Sequence, residues 1–247
     1  MISKISGIAF AFVIVVGLAG LATLSSPVLA DDLEVTFSDA QLDVAIREAI
    51  GKPTGDIYQS DIEGLTSLNA SAKSISDLTG LEYCVNLTAL DLSYNSISDI
   101  SPLSSLTNLT TLDLYRNEIS DISPLNSLTN LTKFYLRHNS ISDISSLSSL
   151  TNLTKLDLDD NLISDISPLA DNIGLDEGDK VSLQYNCLDI TLDSLARNDI
   201  QTLLDKGVRV SYSPQKKIPL MPLLVGGIIA VVAGGLAIFF VRRGRAA

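Results

Sequence analysis

The sequence predicts an α/β repeat solenoid. Short strands stack into one parallel sheet on the concave side, between a helical cap at the front and a helix-and-strand cap at the back, with one transmembrane helix beyond. Three observations predict it. A 22-residue period runs through the middle of the chain, placing Asn95, Asn117, Asn139 and Asn161 in register. Amphipathic segments outside the period flank it on both sides. An uncharged apolar run, Ile218 to Val241, lies near the end.

Taken in order, residues 1–30 read as a secretory signal peptide. Lys4 precedes an apolar stretch from Ile5 to Leu24, and small-residue sites end at Ala30, where cleavage is expected. Residues 31–64 form the N-terminal cap. Ser38 is expected as N-cap, with Gln41 completing a capping box and Phe37 and Leu42 a hydrophobic staple. Leu42, Ala45, Ile46 and Ala49 make one apolar stripe, ended by Gly51.

Residues 65–190 carry the repeats. One unit reads LTNLTTLDLYRNEISDISPLNS. The alternating pair (Leu90/Leu92, Leu112/Leu114, Phe134/Leu136, Leu156/Leu158) faces inward from a short strand. The Asn that follows can satisfy backbone groups of adjacent turns that would otherwise be buried and unpaired. Ile-Ser-Asp-Ile-Ser-Pro-Leu then crosses the back, where Pro102, Pro124 and Pro168 block a regular helix. No unit can bury its own leucines, so the units must stack. A degenerate copy with Leu65, Leu68, Ile75 and Leu78 precedes them, and a longer copy with Val181, Leu183, Asn186 and Leu188 follows.

Residues 191–212 are the C-terminal cap, a helix within Asp193–Lys206 ended by Gly207 and a strand at Val208–Tyr212. Residues 213–217 are a short stalk, 218–241 the transmembrane helix and 242–247 a cytoplasmic tail. The run is long enough to cross about 30 Å of hydrocarbon as a helix, and the arginines at 242, 243 and 245 are its positive-inside flank. Gly226, Ala230 and Gly234 form a small-residue face that suits a weak homodimer.

This unit resembles the bacterial leucine-rich-repeat family of the internalin type, over Phe37 to about Tyr212. The resemblance implies the fold, including the capping helix. It says little of function, since such solenoids serve many partners.

Composition narrows the function. All 29 acids but only 13 of the 17 bases fall between Asp31 and Lys217. So acidic a surface argues against nucleic acid, whose phosphates need Lys and Arg. Two Cys and one His are too few for a zinc site or a disulfide framework. No nucleophile elbow or phosphate loop occurs, so no catalytic residue and no cofactor is expected. Asp157, Asp159 and Asn161 start like a calcium loop, but Leu162 and Pro168 stand where Gly and Glu are required. The Asn-Leu-Thr triplets at Asn86, Asn108, Asn130 and Asn152 fit glycosylation, but they are also the repeat consensus. Cys84 stands where later repeats have a buried Leu, and no bridge to Cys187 is expected across about four strand spacings.

The variable positions carry the specificity. They fall in columns on the concave face: Ala89, Thr111, Lys133, Lys155; then Asp91, Asp113, Tyr135, Asp157; then Ser93, Tyr115, Arg137, Asp159; then Tyr94, Arg116, His138, Asp160. Tyr94, Tyr115, Arg116, Lys133, Tyr135, Arg137 and His138 are the candidate partner-binding residues, because Tyr and Arg dominate binding hot spots. The alternative is a self-satisfied surface, with Arg137 paired to Asp159 and His138 to Asp160.

The sequence therefore predicts a non-enzymatic recognition protein at the cell surface of a prokaryote. Its N-terminal domain is expected to be extracytoplasmic, held at the membrane by its own C-terminal helix and facing a protein ligand there. A binder of carbohydrate or envelope polymer, using Tyr115 and Tyr135 as stacking platforms, and a structural envelope component are the alternatives.

Overall fold

The chain divides into a unit of Met1–Asp32 and one of Leu33–Ala247. The computed structural model describes residues 32–216, and the backbone alone of three further segments, 221–225, 228–233 and 236–240. The expected signal peptide (1–30) and cytoplasmic tail (242–247) lie outside the described residues.

The repeats form a seven-stranded, wholly parallel sheet in sequence order. Its strands are β3 (Ser67–Asn69), β4 (Ala89–Asp91), β5 (Thr111–Asp113), β6 (Lys133–Tyr135), β7 (Lys155–Asp157), β8 (Lys180–Ser182) and β9 (Arg209–Ser211). The register is constant, Leu90 opposite Leu112, Phe134 and Leu156. The leucines of successive repeats therefore build one continuous core, in which Leu112, Leu114, Phe134 and Leu136 are fully buried. The back is crossed by short 3-10 turns rather than α-helices, at Leu81–Tyr83, Ser101–Ser105, Ser123–Leu125 and Ser145–Ser149, the second and third of which carry a proline at their start. Two short helices occur, α2 (Gln59–Ile62) in the front cap and α3 (Ser167–Ala170) on the back of the repeats.

Polar consensus residues bind the repeats together. Asn117 accepts from the Ile97 amide through Oδ1 at 3.0 Å, and its Nδ2 donates to the carbonyls of Leu92 and Leu114. Asn139, Asn161 and Asn186 repeat this pattern. A second asparagine ladder uses the triplets that fit glycosylation. Asn86, Asn108, Asn130 and Asn152 each donate Nδ2 to a carbonyl 23 residues earlier. The threonines of the same triplets donate their hydroxyls to the carbonyl 22 residues back. Each triplet therefore serves as a staple between repeats.

The front cap consists of α1 (Ala40–Ile50) and a two-stranded antiparallel pair, β1 (Glu34–Val35) with β2 (Ile57–Tyr58). The N-cap is Asp39, not the expected Ser38. A carboxylate can serve both ends of this contact: Oδ1 accepts from the Gln41 and Leu42 amides, while Oδ2 accepts from Ser76 in the first repeat at 2.9 Å. Although partial burial opposes it, these N–H groups and that of Asp77 hold Asp39 below the usual carboxylate range. Leu42, Ala45 and Ile46 are buried as expected, but Ala49 faces solvent. Gly51 closes the helix in the left-handed region, φ 69°.

The back cap is α4 (Leu195–Asp205), capped by Ser194, followed by β9. Residues 213–216 do not stand clear as a stalk. The amides of Tyr185 and Lys216 and the side chain of Gln184 bond across this segment. The Gln215 amide donates to Leu183 and accepts from the Leu188 amide. The last repeat would otherwise end in open backbone groups, and this polar segment supplies what a further repeat would have supplied.

The described residues within 218–241 do not form the expected helix. They form three antiparallel strands, β10 (Met221–Val225), β11 (Ile228–Ala233) and β12 (Leu236–Phe240). The run is divided by Gly226-Gly227 and Gly234-Gly235 into short stretches rich in Val and Ile, a composition that suits strands. Among the described residues no helix is long and apolar enough to cross a membrane. Gly226 and Gly234 of the small-residue face assigned to a weak homodimer lie outside the described residues.

Candidate functional site

The candidate residues stand on the open face of the sheet. The column of Tyr94, Arg116, His138 and Asp160 adopts the left-handed region, φ 54–57°, just before the ladder asparagines. The turn out of each strand demands this conformation, unusual without glycine, and it turns these side chains beside those of Tyr115 and Arg137.

Five of the seven candidates meet. The rings of Tyr94 and Tyr115 pack edge to face, with centroids 4.9 Å apart. His138 lies 5.5 Å from Tyr115 on its other side. The Arg116 guanidinium sits 5.5 Å from the Tyr94 ring and 5.7 Å from that of Tyr115, and its Nε donates to the Tyr115 hydroxyl at 3.1 Å. Arg137 lies 6.0 Å from the Tyr115 ring. Tyr115 is held below the usual phenol range by its contact with the Tyr94 hydroxyl, and then by Arg116 and Arg137.

Tyr135 and Lys133 are placed apart, on strand β6. The Lys155 ammonium covers the Tyr135 ring at 4.9 Å. Lys133 is exposed, between Thr111 and Lys155 in the register.

The self-satisfied surface holds for one pair and fails for the other. His138 Nδ1 pairs with Asp160, and Asp160 also takes the Lys216 ammonium at 2.9 Å. Asp159 does not pair with Arg137. It is buried, and its Oδ1 accepts from the Ser182 hydroxyl at 2.6 Å and the Gln184 amide at 2.7 Å. Arg137 Nε is a buried donor without an acceptor among the described residues.

In the column of Tyr135, burial pushes Asp113 and Asp157 above the usual carboxylate range. Asp113 accepts from the Tyr115 amide and Asp157 from that of Asp159. Among the described residues no group of three or more His, Cys, Asp or Glu converges as a metal site. Cys84 is buried and Cys187 half-buried, both as free thiols, and burial pushes the Cys84 thiol up to about 12.

Two residues that belong with Lys133 and Lys155 lie outside the 22-residue count. Lys180 pairs with Lys155 in the register, and Arg209 with Lys180. Twenty-five residues separate Lys155 from Lys180 and 29 separate Lys180 from Arg209, so the periodic count passes over them.

Comparison with known proteins agrees with this geometry. The model for leucine-rich repeats in two copies matches residues 85–127 and 129–171. An internalin (inlF) from Listeria monocytogenes is 30% identical, with a TM-score of 0.57 over 71% of this chain and 56% of that one. This chain thus spans little more than half of that protein's length. Internalin C2 from the same organism is 28% identical, with a TM-score of 0.52 over 72% of this chain and 88% of that one. Among curated proteins we found no match. Repeat solenoids of this kind generally act as recognition scaffolds rather than catalysts. The described domain is a leucine-rich-repeat solenoid, similar in fold to these two internalins.

Proposed function

We propose that this chain is a non-enzymatic recognition protein that binds a protein partner on the open face of its sheet, outside the cytoplasm at the cell surface. The observation that carries the reading is the packed group of Tyr94, Tyr115, Arg116, Arg137 and His138. Aromatic rings fixed against guanidinium groups provide contact area and directional donors at small cost in conformational entropy. The extracytoplasmic placing rests on the leader-like sequence of residues 1–30.

A carbohydrate ligand is less well served. Lys155 covers the Tyr135 ring, and Arg116 and Arg137 flank Tyr115, so both expected stacking platforms are occupied. The back is spent on consensus ladders repeated from unit to unit, which can encode little specificity.

Site-specific photocrosslinking on intact cells tests the reading. A photoreactive residue at Tyr94 or Arg116 is expected to give one discrete protein adduct, and one at the exposed back position Asn126 none. Adducts from Asn126 alone, or equally from all three positions, would overturn it.

A further inference from the structure

Lys133, Lys155, Lys180 and Arg209 occupy equivalent positions on the adjacent strands β6, β7, β8 and β9. All four are exposed. Three strand spacings separate the first from the last, about 14 Å. Like charges directly opposite one another across strands are unfavourable. Among the described residues no ion pair within 4.0 Å joins any of the four to a carboxylate. Asp157, half-buried in the next column, is drawn down by Lys155 and Arg137, yet burial still leaves it above the usual carboxylate range. The fold therefore carries a row of exposed cations without direct ion pairs, on a domain where acids outnumber bases by more than two to one.

We infer that this row docks an acidic segment of the protein partner in extended conformation, its carboxylates set against Lys133, Lys155, Lys180 and Arg209. The inference rests on the open face being the binding face. Same-side side chains of an extended peptide repeat about every 6.6 Å, so two or three alternating acids span the row. Lysine ammonium groups on flexible stems can follow that spacing. The Tyr135 ring lies under Lys155 and supports that ammonium within the row.

The test uses the full chain and a fluorescently labelled peptide of six Glu-Ser repeats, read by fluorescence anisotropy at several salt concentrations. The same peptide with Gln for Glu, and a glycerol-phosphate polymer of equal charge, are the other probes. The acidic peptide is expected to bind, to weaken as salt rises and to exceed both other probes. Replacing all four bases by Gln should lower its affinity about tenfold. Replacing the distant Lys73 and Arg197 by Gln should change it little. Equal binding by the Gln peptide, tighter binding by the phosphate polymer, or unchanged affinity in the fourfold variant would overturn the inference. If crosslinking from Tyr94 persists in the fourfold variant while peptide binding is unchanged, the open face remains the binding face and only the docking row falls.

Discussion

Lys216, expected in a free stalk, places its ammonium 2.9 Å from the Asp160 carboxylate and 2.9 Å from the Asn161 carbonyl. This contact locks the end of the described chain onto the candidate face, because Asp160 also holds His138. The Lys216 bond is the main reason the Asp160 carboxyl stays below its ordinary value of 3.8, with His138 adding to it. A depressed carboxylate stabilises the fold above its unfolded value, and that stability is lost as pH falls through the folded value. Lys216→Gln should therefore loosen residues 213–216 and speed amide exchange at Tyr185 and Leu188. The change in global stability should stay below about 1 kcal/mol, as for other exposed pairs. Exchange unchanged at both amides would mean that the backbone bonds and the Gln184 and Gln215 side chains hold the segment without the Lys216 ammonium.

The asparagine ladder predicts a larger effect. Asn161 is fully buried, and its side chain bonds to the amide of Ile141 and the carbonyls of Leu136 and Leu158. Asn161→Ala leaves several buried backbone groups unpaired, at about 1–3 kcal/mol each before relaxation. Leu112→Ala, in the middle of the stack, should cost about 2–5 kcal/mol by opening a cavity. Urea unfolding followed by circular dichroism measures both. An Asn161→Ala midpoint equal to that of the unsubstituted chain would refute the ladder as a source of stability.

These two cases mark what periodicity can reveal. The 22-residue count located the inward leucines, the ladder asparagines and the four columns, because every repeat solves the same packing problem. It missed whatever departs from the period. Lys180 and Arg209 enter the register only through longer connections. The choice of Asp39 over Ser38 as N-cap depends on Ser76, a contact 37 residues away. Hydropathy and the arginine flank of the run from 218 to 241 do not distinguish a helix from the three strands of its described residues, because both patterns tolerate an uncharged apolar sequence. The Arg137–Asp159 pair failed because Ser182 and Gln184 compete for the same carboxylate from the next repeat.

Asp113 predicts a pH dependence of opposite sign to that of Asp160. Burial raises its folded value above 3.8, with the charges of Asp91 and Asp157 adding to the effect. The ionised form therefore destabilises the fold at neutral pH, and the cost vanishes as pH falls through the raised value. Asp113→Asn keeps an acceptor for the Tyr115 amide, bonded at 2.9 Å. The variant should be more stable than the unsubstituted chain at pH 7, with the difference closing below pH 3.8. Melting curves across that range check both halves. A variant less stable at pH 7 would show that the charge itself holds the turn.

One close approach tests how the back of the stack is built. Gly174 follows the buried Asn172, whose Oδ1 accepts its amide at 2.8 Å. A Cβ at Gly174 would lie 1.8 Å from the Thr151 carbonyl oxygen, so backbone would have to move. Gly174→Ala should destabilise by more than about 1 kcal/mol, beyond any gain from stiffening the unfolded chain. Gly178→Ala has open space for its Cβ, but at a φ of 98° it is strained on its own account. The informative comparison is therefore Gly64→Ala, which has both space and an ordinary backbone. Equal stability of the Gly64 and Gly174 variants would contradict the packing of the fifth repeat on the sixth.

The aromatic group makes the sharpest prediction about binding. Tyr94 is half exposed and Tyr115 half buried. Neither belongs to the leucine core, and the backbone bond from the Tyr115 amide to Asp113 does not depend on its ring. Tyr94→Ala with Tyr115→Ala should leave the urea midpoint nearly unchanged. The same double change removes both rings under Arg116 and the contact that His138 makes with Tyr115. Truncating anchors of this kind typically costs about 2 kcal/mol or more of binding. Once the partner has been isolated through its Tyr94 adduct, its affinity should therefore fall roughly thirtyfold or more. Tyr115→Phe separates ring from hydroxyl, because it keeps the packing but removes the acceptor used by Arg116 Nε. It should retain most of the affinity if area dominates, and lose it if Arg116 must be aimed. Asn126→Ala on the back is the control, with no expected loss. Full affinity in the Tyr94 and Tyr115 double variant, with its fold intact, would place the recognition surface elsewhere on the domain.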